Sequence, residues 1–141
     1  MSTAYILILL YLAVYDLWQR RLPNAAVLLL ALLGGYAAFV EKDLISSLAA
    51  GATAFVLFYI TKVAYLKKRG VDGLGMGDVK LIGAIGLWVG FLGLPWVIFI
   101  GSALALIYAI LIKCLGIKNI ADARLPYGTF LSLSAIPIFL Y

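Results

Sequence analysis

Long apolar runs separated by short polar links are the feature that most constrains this chain. The runs cover residues 3–17, 22–40, 44–66 and 78–89; after a turn at 90–95 a fifth continues to about 113, and a sixth covers 125–141. A bilayer core is about 30 Å thick and a helix rises about 1.5 Å per residue, so a spanning helix needs roughly 20 mostly apolar residues. Of the 141 residues, 66% are hydrophobic and 12% charged, too few charges to coat a water-soluble domain. The runs predict an all-α integral membrane protein, a bundle of about six transmembrane helices forming one membrane-embedded domain over 1–141. The first run lacks a basic leading region and an Ala-x-Ala cleavage site, so it reads as a retained helix and not a signal peptide.

The basic residues give this bundle an orientation. With six spans, Arg20, Arg21, Lys62, Lys67, Lys68, Arg69, Lys80, Lys113, Lys118 and Arg124 fall toward one face, and only Lys42 toward the other. Positive charge marks the cytoplasmic side of membrane proteins, so both termini are expected to be extracytoplasmic and the chain multi-pass in the cytoplasmic (inner) membrane. The same placement explains the net charge of +5 without nucleic acid as a partner. Trp18, Trp88 and Trp96 stand at predicted boundaries, where interfacial tryptophan is common. Arg21-Leu22-Pro23 and Arg124-Leu125-Pro126 each open a span, which fits a snorkelling arginine before a helix-starting proline.

Several chemistries are absent. The sequence has no histidine, which removes a Ser-His-Asp triad, a Cys-His pair and a histidine zinc site. Cys114 is the single cysteine, so no intrachain disulfide or cysteine metal cluster is available, and neither a metal nor a cofactor is expected.

Six acidic residues remain. Glu41 and Asp43 lie in a short turn and Asp122 in a polar link, where solvated charges are ordinary. Asp16 and Asp78 each adjoin an apolar run at membrane depth, where a carboxylate is costly and points to function. The alternative for Asp16 is an ion pair with Arg20, one helical turn on. Asp16 ends the first span and Asp78 begins the fourth, so both belong near one face at similar depth. Two carboxylates that meet cannot easily ionise together, and sharing one proton is aspartic protease chemistry. Gly75 and Gly77 before Asp78 permit close backbone approach and positive φ. The loop lacks the Gly-Lys-Ser/Thr ending of a phosphate-binding loop.

Gly75-Met76-Gly77-Asp78 resembles the Gly-x-Gly-Asp motif of membrane aspartyl proteases, and Gly77-Asp78-Val79-Lys80-Leu81 its prepilin peptidase form. Asp16, followed at fixed distance by Leu22-Pro23-Asn24, resembles the first catalytic segment of the type IV prepilin peptidases. Pro126-Tyr127-Gly128 is similar to their third motif. The resemblance implies a membrane aspartic endopeptidase that removes the short basic leader of type IV pilin-like precursors, just before an apolar helix. It implies that Asp16 and Asp78 are the catalytic pair and that Gly75 and Gly77 shape the loop. Pro23 and Asn24 would support the site, and Pro126 and Gly128 would break the last helix beside it; Lys80, two positions past Asp78, is a further supporting candidate whose ordinary account is a snorkelling interfacial lysine. Longer family members carry paired Cys-x-x-Cys motifs and N-methylate the product; this chain has no such pairs, so no methyltransferase activity is expected. It is closer to the short peptidases of Tad (Flp) pili or to archaeal preflagellin peptidases. Thr129 stands where many relatives have a second proline. Two other readings use the same aspartates: a small transporter or channel with Asp16 and Asp78 lining a polar path, and a presenilin-like intramembrane protease.

Overall fold

The computed structural model describes residues 2–41, 43–116 and 125–141. Lys42, Lys118, Asp122 and Arg124, each given a place above, lie outside the described residues. Five helical elements follow one another: α1 (Ser2–Gln19), α2 (Asn24–Val40), α3 (Leu44–Arg69), α4 (Met76–Cys114) and α5 (Tyr127–Leu140). Among the described residues there is no strand. By length and composition α1, α3 and α4 can each cross a membrane, whereas α2 and α5 are shorter apolar helices.

The expected fourth and fifth spans form one element, α4, broken at Gly90. There φ is 65° and ψ −172°, a conformation that is not helical and that a side chain would oppose. Contacts on either side of Gly90 show that the chain doubles back. Before it, Asp78 lies near Gly128 and Trp88 meets Phe139, so the first arm runs parallel to α5. After it, Gly93 meets Ile138, the Ser134 hydroxyl donates to the Val97 carbonyl, and Ser102 meets Tyr127, so the second arm is antiparallel to α5. Phe55 against Gly83 and Gly51 against Gly86 make α3 antiparallel to the first arm. Leu22 against Gly77 and Leu30 against Trp88 make α2 parallel to it. Tyr5 against Phe139 and Ala13 against Thr129 set α1 antiparallel to α5. Among the described residues six segments therefore alternate in direction, although they form five helical elements.

This alternation gathers the α1–α2 link, the glycine-rich loop after α3, the end of α4 and the start of α5 at one end of the bundle. The eight lysines and arginines among the described residues all belong to those links or to the helix turns leading into them. Pro23 and Pro126 each occupy the position just before a helix, where a missing N–H costs nothing. Pro126 and Gly128 therefore open α5 and do not interrupt it, contrary to the expectation of a broken last helix.

Leu9 and Leu12 of α1, Leu30 of α2, Leu81, Ile82 and Ile85 of α4 and Leu131 of α5 are fully buried and form the middle of the core. Large apolar side chains also cover the outside, among them Leu7, Val14, Leu28, Ile45 and Leu106. Continuous apolar surface on this scale is unsuited to water. The far end is closed by aromatic packing: the Tyr5 ring sits 4.6 Å from Trp88 and 4.5 Å from Phe139. Trp88 also donates from Nε1 to the Leu30 carbonyl at 2.9 Å. Trp88 stands two residues before the break at Gly90, beside the turn expected of it, with its N–H partner and ring contacts within the bundle. Trp18 and Trp96 are exposed, as boundary residues should be.

Candidate active site

Asp16 lies in the last turn of α1 yet is only 4% exposed. α5 covers it. The Thr129 backbone N–H donates to Asp16 Oδ2 at 2.9 Å, and the Thr129 hydroxyl is 3.2 Å from the same oxygen and 3.1 Å from the Ala13 carbonyl. The start of a helix carries unsatisfied N–H groups and a partial positive charge, so it suits a carboxylate. The alternative pairing with Arg20 does not occur. Arg20 leaves α1 in a left-handed conformation, φ 52°, with its backbone N–H on the Asp16 carbonyl at 2.8 Å, and makes no ion pair with Asp16.

Asp78 stands in the first turn of α4. Gly128 separates it from Asp16. A Cβ on Gly128 would lie 2.9 Å from Asp78 Oδ1 and 3.0 Å from Asp16 Oδ2, closer than real side chains tolerate. The two carboxylate oxygens are thus at most about 6 Å apart, those two distances laid end to end, which is the range of strong mutual influence. α1, α4 and α5 each supply one of the three residues, so two carboxylates 62 positions apart in the sequence converge over a glycine that cannot be enlarged.

The glycine loop is used differently from the expectation of positive φ. Gly75 is extended, with φ −64° and ψ 142°, and Gly77 is helical; neither is among the positive-φ residues. What matters is their lack of a side chain. A Cβ on Gly77 would lie 3.1 Å from the Leu22 Cβ, and one on Gly75 would lie 3.3 Å from Asp78 Oδ2. The loop itself is strapped to α3. Lys62 Nζ donates to both Asp72 oxygens at 2.7 and 2.8 Å and to the Leu74 carbonyl at 2.8 Å. Gly73 packs against the Tyr65 ring with no room for a side chain.

A cavity of about 590 Å³ opens over the pair, lined by Asp16, Asp78, Arg20, Arg21, Asn24 and Lys80 together with the glycine loop. Lys80 Nζ donates to Asn24 Oδ1 at 3.3 Å, which ties the first arm of α4 to the start of α2. Tyr127 also faces the cavity, its hydroxyl 2.9 Å from Ser102 Oγ and its ring stacked on Phe58 at 6.5 Å. Of the residues expected at the site from sequence, Asn24, Gly75, Gly77 and Lys80 line this cavity with Asp16 and Asp78, Gly128 lies against both carboxylates, and Pro23 and Pro126 cap the helices that begin at Asn24 and Tyr127. Sequence reasoning missed Thr129 as the partner of Asp16, the Lys62–Asp72 strap, and Tyr127 with Ser102. Asp72 was the one acidic residue without an account, and it is the partner of a lysine ten positions back.

The sequence model of the type IV leader peptidase family matches residues 3–110, which include both aspartates and the glycine loop. The chain belongs to this family. It is 35% identical over 128 residues to the type 4 prepilin-like proteins leader peptide-processing enzyme of Escherichia coli O78:H11, covering 88% of this chain and 45% of that protein. Over 133 residues it is 32% identical to the prepilin leader peptidase/N-methyltransferase of Legionella pneumophila, covering 92% of this chain and 45% of the relative. The Dichelobacter nodosus prepilin leader peptidase/N-methyltransferase is 29% identical over 139 residues, with 94% and 46% covered. The chain thus spans less than half the length of these curated relatives. No solved structure matches it. Thr129 and Gly128 of this leader peptidase family member lie beyond the matched segment, but the fold returns them to the pair.

Proposed function

We propose that this chain is a membrane aspartic endopeptidase that removes the basic leader from type IV pilin-like precursors at the cytoplasmic membrane face. The observation that carries the reading is the convergence of Asp16 and Asp78 on Gly128, inside an open cavity, in a leader peptidase family member. In the reaction one carboxylate is ionised and the other protonated. The ionised member takes a proton from water, whose oxygen attacks the peptide carbonyl while the protonated member donates a hydrogen bond to the carbonyl oxygen. Collapse of the tetrahedral intermediate breaks the C–N bond, and the proton taken from water passes to the leaving amine. Arg20, Arg21 and Lys80 line the same cavity and place positive charge beside the pair.

The six alternating segments fit six crossings of an inner membrane, with both termini outside and the site at the basic, cytoplasmic end. The site's place in the last turn of α1 and first turn of α4 suits a cut near the membrane face and not within an apolar helix. The core below it, closed by Tyr5, Trp88 and Phe139, leaves a transport path little support among the described residues. Incubation of the reconstituted chain with a pilin precursor, followed by mass spectrometry of the product's N-terminus, tests the reading. A single cut between the basic leader and the apolar segment is expected, and a cut deep inside the apolar segment would contradict it.

A further inference from the structure

A second cavity borders the first. α2, α3 and the first arm of α4 enclose a groove of about 580 Å³. Gly83 and Ala84 form part of its floor, Leu28 and Ala31 line it from α2, and Leu48 and Ala52 from α3. Among the described residues its polar side chains are Asn24 and Lys80, and these same two residues also line the carboxylate cavity. The hydrogen-bonded Lys80–Asn24 pair is therefore the junction between a charged chamber and an apolar one. On α4 the groove follows Lys80, Gly83, Ala84 and Leu87, one helical face leading away from Asp78; on α2 it follows Asn24, Leu28 and Ala31. Seven residues of helix make this apolar path about 10 Å long.

A ligand that fills both chambers must change character at one point. It must be polar and extended over the carboxylates, then apolar along α2 and α3. Resting on the peptidase reading above, we propose that the groove holds the apolar segment of the precursor that immediately follows the scissile bond. The leader then lies in the carboxylate cavity, and the bond between them sits beside Asp78, two residues before the junction. A phospholipid matches the groove, with its phosphate at Lys80, but leaves the carboxylate cavity unfilled. A precursor chain satisfies both chambers at once. The groove thus reads the apolar segment and fixes where along the substrate the cut falls.

The test compares two substrates in the same vesicles, a full precursor and a truncated peptide ending a few residues after the cut. Ala52→Phe, which fills the groove from α3, is expected to lower the preference for the full precursor over the peptide about tenfold, roughly the burial of one leucine-sized side chain. The same substitution at lipid-facing Leu106 is expected to leave that preference unchanged. An unchanged preference in Ala52→Phe overturns the proposal and leaves the groove to lipid. Should Ala52→Phe fail to fold, Leu48→Cys in a Cys114→Ser background decides: it is expected to cross-link to a single cysteine in the precursor's apolar segment. Absence of that cross-link while cleavage proceeds overturns the proposal equally. If the unsubstituted chain cuts neither substrate, the peptidase reading fails, and cross-linking still reports on the groove by itself.

Discussion

Asp16 depends on one residue that no motif announced. Thr129 gives it a backbone N–H and places a hydroxyl within reach, while also contacting the Ala13 carbonyl. Losing the hydroxyl leaves buried acceptors underserved, at a cost of about 1–3 kcal/mol. Thr129→Val is therefore expected to lower kcat about tenfold with KM little changed, and Thr129→Ser to restore most of it; steady-state kinetics on a precursor checks both. Gly128→Ala makes a stronger prediction. Its methyl would press on both carboxylates and force them apart, and displacement on the ångström scale costs about a hundredfold in rate. A chain that stays helical and monodisperse while losing that activity is the expected outcome. The sequence made Asp16 and Asp78 legible because ionisable groups at membrane depth are few. It hid Thr129, because a threonine 113 positions from its partner has no local signature.

At the scale of elements, the glycine-rich loop is held by a strap whose two ends looked unrelated. Lys62 could be read only as one more basic residue near the inner face, and Asp72 only as a loop acid. Folding brings them together because α3 ends at Arg69 and the loop turns back along its last two turns. Removing one partner leaves the other partly buried charge and the Leu74 carbonyl without that contact. Lys62→Met is expected to reduce kcat severalfold and to speed limited proteolysis within 70–75; the exchange Lys62→Asp with Asp72→Lys is expected to recover part of the activity. The break in α4 was legible as a glycine- and proline-bearing turn, and Gly90 supplies it. The role of Pro126 and Gly128 was not. Breaking a helix and starting one use the same residues, and only the described start of α5 distinguishes them.

For the whole molecule, apolar runs and basic links carried most of the architecture, because lipid and charge act on long segments and tolerate small errors in their bounds. Which faces pack together was not legible in helices apolar all round, and so the inward contacts of Trp88 at the far end of the core were not foreseen. Six crossings predict a labelling pattern. In a Cys114→Ser background, cysteine at Glu41 or Phe91 is expected to react with a membrane-impermeant maleimide added outside intact cells. Cysteine at Arg20 or Lys67 is expected to react only after permeabilisation. Equal reaction at Glu41 and Lys67 in intact cells would sink this topology.

The central claim is that Asp16 and Asp78 act as one catalytic pair, and co-expression of the chain with a pilin precursor tests it most directly. Asp16→Asn and Asp78→Asn, each inserted in the membrane at normal abundance, are expected to leave the precursor uncut, as read by the mass of its N-terminal peptide. Full cleavage by either variant would contradict the pair.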